Sequence, residues 1–149
     1  MGARDYTTRR SSIVNALVTK LEEINGTGAF LSSVSSVSPR LKFWDEVEEF
    51  PAVHVNAGSE TRQYLGAGEK FRYLTITLRC YVQEDEPVEA LEKVMEDVET
   101  VLEINNPLTY TDKLGAVQST IQTTILSIDT DEGVLDPLGI GEIVITVQY

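Results

Sequence analysis

The spacing of apolar positions changes several times along this chain, and each change marks a different element. Val14, Leu17, Val18, Leu21 and Ile24 recur three and four residues apart, one apolar stripe over about three helical turns. Asp5, followed by Thr7, Thr8, Arg9 and Arg10, reads as the start of this helix with Asp5 as its cap, and Asn25-Gly26 as its close. Residues 26–39 are rich in Gly and Ser, with Val34 and Val37 as the only branched anchors, which predicts a mobile connection holding one short edge strand. Leu41, Phe43 and Val47 lead into Phe50-Pro51, where a strand is expected to begin because proline is tolerated at a strand's first position. Residues 52–56 alternate, Gly58 interrupts them, residues 60–64 resume, and Gly66-Ala67-Gly68 supply a hairpin turn.

The clearest strand runs from Phe71 to Val82. Leu74, Ile76, Leu78, Cys80 and Val82 point one way, towards a core, while Tyr73, Thr75, Thr77, Arg79 and Tyr81 point the other. Glu86-Pro87 then opens a second helix, with Val88, Leu91, Val94, Met95, Val98, Val101, Leu102 and Ile104 as its buried stripe and Asn105-Asn106-Pro107 as its stop. Two further strands are expected, over residues 117–128 and 142–149, joined as a long hairpin by the acidic residues 129–141. The order is helix, two or three strands, helix, two strands. It predicts a single α+β domain over residues 1–149, a mostly antiparallel sheet carrying both helices.

Composition narrows what such a domain does. With 149 residues and 42% of them apolar, the chain buries roughly 68–70% of its extended surface, enough for a core without metal or disulfide staples. No apolar run approaches the ~20 residues that span a bilayer, so no membrane partner is expected. Met1-Gly2-Ala3-Arg4-Asp5 lacks the apolar stretch of a secretion signal, and the single Cys80 excludes an internal disulfide framework; synthesis in a reducing cytoplasm is the expectation. Twenty-four acids against twelve Lys and Arg leave a net charge of −12. Binding nucleic acid by neutralising phosphates needs a basic face and is therefore not expected. Like-charged protomers repel, and shortening the screening length from ~30 Å at 0.01 M salt to ~8 Å at 0.15 M should let them associate more readily.

Candidate chemistry is sparse. His54, the only histidine, sits between Val53 and Val55, and Cys80 faces the predicted core, so neither joins a nucleophile–base pair. The pairs Gly26/Gly28, Gly66/Gly68 and Gly139/Gly141 lack the Lys-Ser/Thr of a phosphate loop and are read as turns. Asp129-Thr130-Asp131-Glu132-Gly133 begins like a calcium loop, yet Ile140 stands where the loop's final Glu belongs; an acidic solvated hairpin is the better reading. The second helix and its approach carry Glu84, Asp85, Glu86, Glu89, Glu92, Glu96, Asp97, Glu99 and Glu103 against Lys93 alone. They form either a solvated face or a negative wall that duplex DNA slides past. No catalytic residue, metal ligand or cofactor is expected, and the chain is not expected to be an enzyme.

Phe43-Trp44-Asp45-Glu46 followed by Phe50-Pro51-Ala52-Val53-His54-Val55 resembles a segment of the tail-terminator proteins of phages with long non-contractile tails. Ile145 to Tyr149 resembles their closing strand, and the order of elements from about residue 5 onward is similar. The resemblance implies a virion protein at the head–tail junction. Such a protein would form a ring, a hexamer being the expected count, and would bind tail tube protein, stop tube growth and meet the head–tail connector protein while DNA passes through its lumen. A heterologous contact between two different patches is what a closed ring requires. A DNA-mimicking acidic module, a head-completion protein and a tube subunit remain the alternatives.

The surface residues that would serve such assembly are the hairpin tip, Tyr64, Leu65, Gly66, Ala67, Gly68 and Glu69, since an exposed Tyr-Leu pair is otherwise wasteful. Tyr73, Arg79 and Tyr81, on the non-core face of the long strand, would pack against a neighbour's acids; an ordinary polar sheet face, or one covered by the first helix, is the alternative.

Overall fold

A computed structural model describes residues 8–40 and 46–149. Asp5, Thr7, Leu41 and the Phe43-Trp44-Asp45 part of the motif lie outside these residues. The elements are α1 (Arg9–Leu21), β1 (Ser36–Ser38), β2 (Ala52–Gly66), β3 (Glu69–Gln83), α2 (Pro87–Ile104), β4 (Thr109–Thr111), β5 (Val117–Ser119), β6 (Gln122–Thr130) and β7 (Leu138–Gln148). Strands β1-β2-β3-β7-β6 make one five-stranded sheet, antiparallel except for the short β1–β2 pair, and β4–β5 a separate two-stranded one. This is the α+β architecture expected from the pattern.

Alternation builds the core. Leu74, Ile76, Leu78, Cys80 and Val82 of β3 join Val53 and Val55 of β2 and Ile143, Ile145 and Val147 of β7 beneath both helices. From α1 come Ile13, Val14, Leu17, Val18 and Leu21, and from α2 Leu91, Val94, Met95, Val98, Val101 and Leu102. Val34 and Val37 pack against this cluster at its edge, so the Gly/Ser-rich connection is anchored where the branched residues stand.

Several expectations are corrected. Thr8 caps α1, its hydroxyl accepting from the Ser11 N–H at 3.1 Å, because α1 begins at Arg9 and only Thr8 stands three residues before that donor. Val88 and Ile104 are exposed, in the first and last turns of α2, outside the buried stripe from Leu91 to Leu102. The long strand expected over residues 117–128 is two strands in different sheets: the chain turns at Thr120, which accepts at Oγ1 from Leu108 N–H and donates its own N–H to Leu108 O. The loop closing the last hairpin is shorter than expected, residues 131–137, since β6 and β7 extend into it.

Gly139 and Gly141 are not turn residues. Both lie inside β7 on the face beneath α2, and a Cβ at Gly141 would fall 2.6 Å from Met95 Sδ. Their missing side chains let the helix settle on the strand. Gly66 and Gly68, by contrast, have φ of 88° and 79° and make the turn.

Candidate functional site

The β2–β3 hairpin outgrows its sheet. β7 accompanies β3 only from Tyr73 to Gln83, and β1 accompanies β2 only over Ala52–His54. A register shift between Ala57 and Glu60, where Gly58 stands, lets β2 bend away before the arm begins. Residues 61–70 are all exposed, so the arm consists of two strands paired only with each other over most of its length. At its tip Tyr64 is 69% and Leu65 49% exposed, followed by the left-handed Gly66, Ala67 and Gly68 and by exposed Glu69. The tip predicted from the sequence is therefore an outward-facing element. Lys70 lies over the Tyr64 ring at 5.8 Å, giving the arm its own small aromatic–cation contact.

The face of the sheet turned away from the helices carries Tyr73, Thr75, Thr77 and Arg79 of β3, all half-buried, beside Glu142, Val144 and Thr146 of β7. The helices lie on the opposite face. Arg79 is bonded within the chain, donating to Glu142 Oε2 at 2.9 Å across the β3–β7 ladder. Tyr73 reaches back to Gln63. Tyr81 is placed differently from the expectation: only 1% exposed, it packs against the His54 ring with centroids 5.1 Å apart, so in the single chain it is interior. His54 pairs with Arg79 and Val53 with Cys80, which sets His54 and Cys80 on opposite faces of the sheet. Burial pushes the Cys80 thiol up to about 12, leaving it protonated and unreactive.

Two carboxylates counted among the acidic surface serve the fold instead. Asp97 is fully buried and accepts from the Leu31 N–H at 2.8 Å, the Ser32 N–H at 2.7 Å and the Ser32 hydroxyl, pinning the connection after α1 to the flank of α2. It sits three residues after Val94 and four before Val101, on the arc that faces inward, and that spacing was the available signal. Asp131 accepts from Leu135 N–H and Ile140 N–H, each at 3.2 Å, so the loop resembling a calcium site spends this carboxylate on its own backbone.

Charge is distributed unevenly along the sheet. Along the arm's flank, from Leu65 and Gly68 at the tip to Arg72 at the base, a hollow of about 450 Å³ also takes in Arg9, Lys70 and Tyr149, with Glu69 as its acid. At the other end, where β3 finishes and α2 begins, a hollow of about 500 Å³ is lined by Glu84, Glu86, Glu89, Leu31 and Ser32, with Lys93 as its cation. The acidic loop 131–137 comes to this same end, with Glu84 N–H bonded to Pro137 O. A further group of exposed apolar residues went unnoticed in the sequence: Val117 of β5, Ile121, and Leu126, which sits in a register shift of the edge strand β6. The shift breaks the two-residue period that would have given Leu126 a face.

Comparison with known proteins adds an independent line. The family described as Bacteriophage Tail Tube Terminator Protein matches residues 7–149. The Tail tube terminator protein p142 of Escherichia phage T5 is 34% identical, over 94% of this chain and 92% of that protein. Among solved structures, a chain from the virion of a native gene transfer agent particle has a similar fold, with a TM-score of 0.56 at 8% identity, covering 93% of this chain and 92% of its own.

Proposed function

We propose that this chain, which belongs to the bacteriophage tail tube terminator family, closes the end of a completed tail tube as a ring, stops further polymerisation and presents the surface that joins the head. The observation that carries the reading is the arm: a two-stranded hairpin with an exposed Tyr64-Leu65 tip adds nothing to the core of a single copy and is shaped to reach another molecule. Its residues Tyr64 to Glu69, with Tyr73 and Arg79 on the sheet face turned away from the helices, are the contact surface for neighbouring copies or for tail tube protein. A hexamer is the proposed count, the head–tail connector protein the partner on the other side, and the strongly negative surface suits a lumen through which DNA passes without sticking.

Growth of tail tubes in the presence of the purified protein tests this. Tube lengths should freeze on addition, with one cap of density at the growing end in electron micrographs. Tubes that keep lengthening, bare at their tips, would refute the terminator reading.

A further inference from the structure

Arg9 and Arg10 occupy the first turn of α1, where the helix dipole disfavours cations, and no acid stands in that turn. A sequence that breaks a local rule in this way points to a second demand on the residues. Arg10 bonds the carbonyl of Gly58, at the bend from which the arm departs. Arg9 instead lines the hollow along the arm's flank with Lys70 and Arg72, gathering cations on a chain whose total charge is −12. The acidic hollow at the opposite end holds Glu84, Glu86 and Glu89.

We infer that these two ends are the two halves of one contact between successive copies of the chain, the cationic hollow with its Tyr64-Leu65 arm seating on the acidic hollow at the start of α2 in the next copy. The inference rests on the ring reading and names the surfaces that reading requires. Charge complementarity selects a second copy as the occupant. Both halves lie on the same chain at opposite ends of the sheet, so head-to-tail repetition satisfies every copy at once, as a heterologous ring contact must. Within the acidic hollow Lys93 pairs with Glu89 at 3.5 Å, and Glu84 and Glu86 appear in no ion pair among the described residues.

Net charge does not decide against this. At 0.15 M salt the screening length is ~8 Å, shorter than the span of a subunit, so overall repulsion fades while opposed groups at contact distance still attract. The sign of the salt effect separates the two influences. Repulsion alone makes association rise with salt throughout, whereas a complementary contact makes it fall between 0.15 M and about 1 M.

The test uses the full chain and two variants of exposed residues, Arg9→Glu/Lys70→Glu and Glu84→Lys/Glu89→Lys, with circular dichroism to verify the fold. Sedimentation, with and without tail tubes, reads the assembly. Each variant alone should need roughly 100-fold more protein to assemble than the unaltered chain. An equimolar mixture should recover, because the reversed basic end of one meets the reversed acidic end of the other. Unaltered assembly of either folded variant, no recovery in the mixture, or association of the unaltered chain that strengthens between 0.15 M and about 1 M salt would overturn the inference. Should a variant fail to fold, the salt series on the unaltered chain still decides. Rings that form equally well from both variants sink only these surfaces; an unaltered chain that neither self-associates nor joins tubes sinks the ring reading with them.

Discussion

Between Leu74 and Val82, every second residue of β3 is buried beneath the helices; between Glu69 and Arg72 the same strand, running into the arm, has no buried residue. One half is completed by its own chain, with α2 above and β7 alongside. The other half has a single partner strand, β2, and its exposed tip carries a Tyr and a Leu. A two-stranded ribbon alone is marginal in water, so the arm keeps its shape by continuing strands that the core holds. The difference separates residues that serve folding from those to which the proposal gives a contact.

The contrast predicts a hierarchy of effects. Ile76→Ala, which empties a fully buried site beneath the helices, should cost about 3 kcal/mol in a denaturant titration. A loss below about 1 kcal/mol would mean that this half of β3 is not the packed half. Asp97→Ala should follow at roughly 2–3 kcal/mol, since it strands three donors of the Leu31–Ser32 segment. Faster amide exchange at Leu31 and Ser32 would locate the damage in that connection and not in the sheet.

The seam between the two regions should respond to alkali. Burial first, and then the hydrogen bond to the Glu60 carboxylate, push the Tyr149 phenol up to about 12 from an ordinary value of 10.0. Because the folded value is the higher one, this stabilisation is complete below pH 10 and is lost as pH rises towards about 12. The phenol is partly solvated, so screening limits the loss to about 1 kcal/mol or less. Tyr149→Phe should abolish that alkaline step in stability, and a step of unchanged size would assign it elsewhere.

The arm should show the smallest change in stability. Tyr64→Ser with Leu65→Ser is expected to move unfolding by under about 0.5 kcal/mol, as surface substitutions do, while abolishing capping of tail tubes. Capping at the unaltered level by this variant would remove the arm from the contact.

Much of this division can be read from the residues. A strict two-residue period from Leu74 to Val82 has one solution as a strand, and Gly66-Ala67-Gly68 has one as a turn, so core and arm were both visible. Asp97 was not, because its charge outweighed its place on the buried arc between Val94 and Val101, although a helical projection shows it. β4 was missed, and β5 was merged with β6 into one strand, because three residues are too few to display a period. Burial of Tyr81 escaped detection because alternation assigns a face without saying what covers it; the His54 ring beside it is a tertiary fact. The basic end was invisible for the same reason, since Arg9 and Lys70 come together only in the folded chain, whereas the acidic end stands in the sequence as Glu84, Asp85, Glu86 and Glu89.

Light scattering of the purified protein, alone and with tail tubes, tests the central claim most directly. The account predicts one discrete mass, a small closed multiple of 16.5 kDa, formed in solution or on the tube and growing no further. A monomer that never joins tubes at any salt, or a mass that climbs without limit, would contradict it.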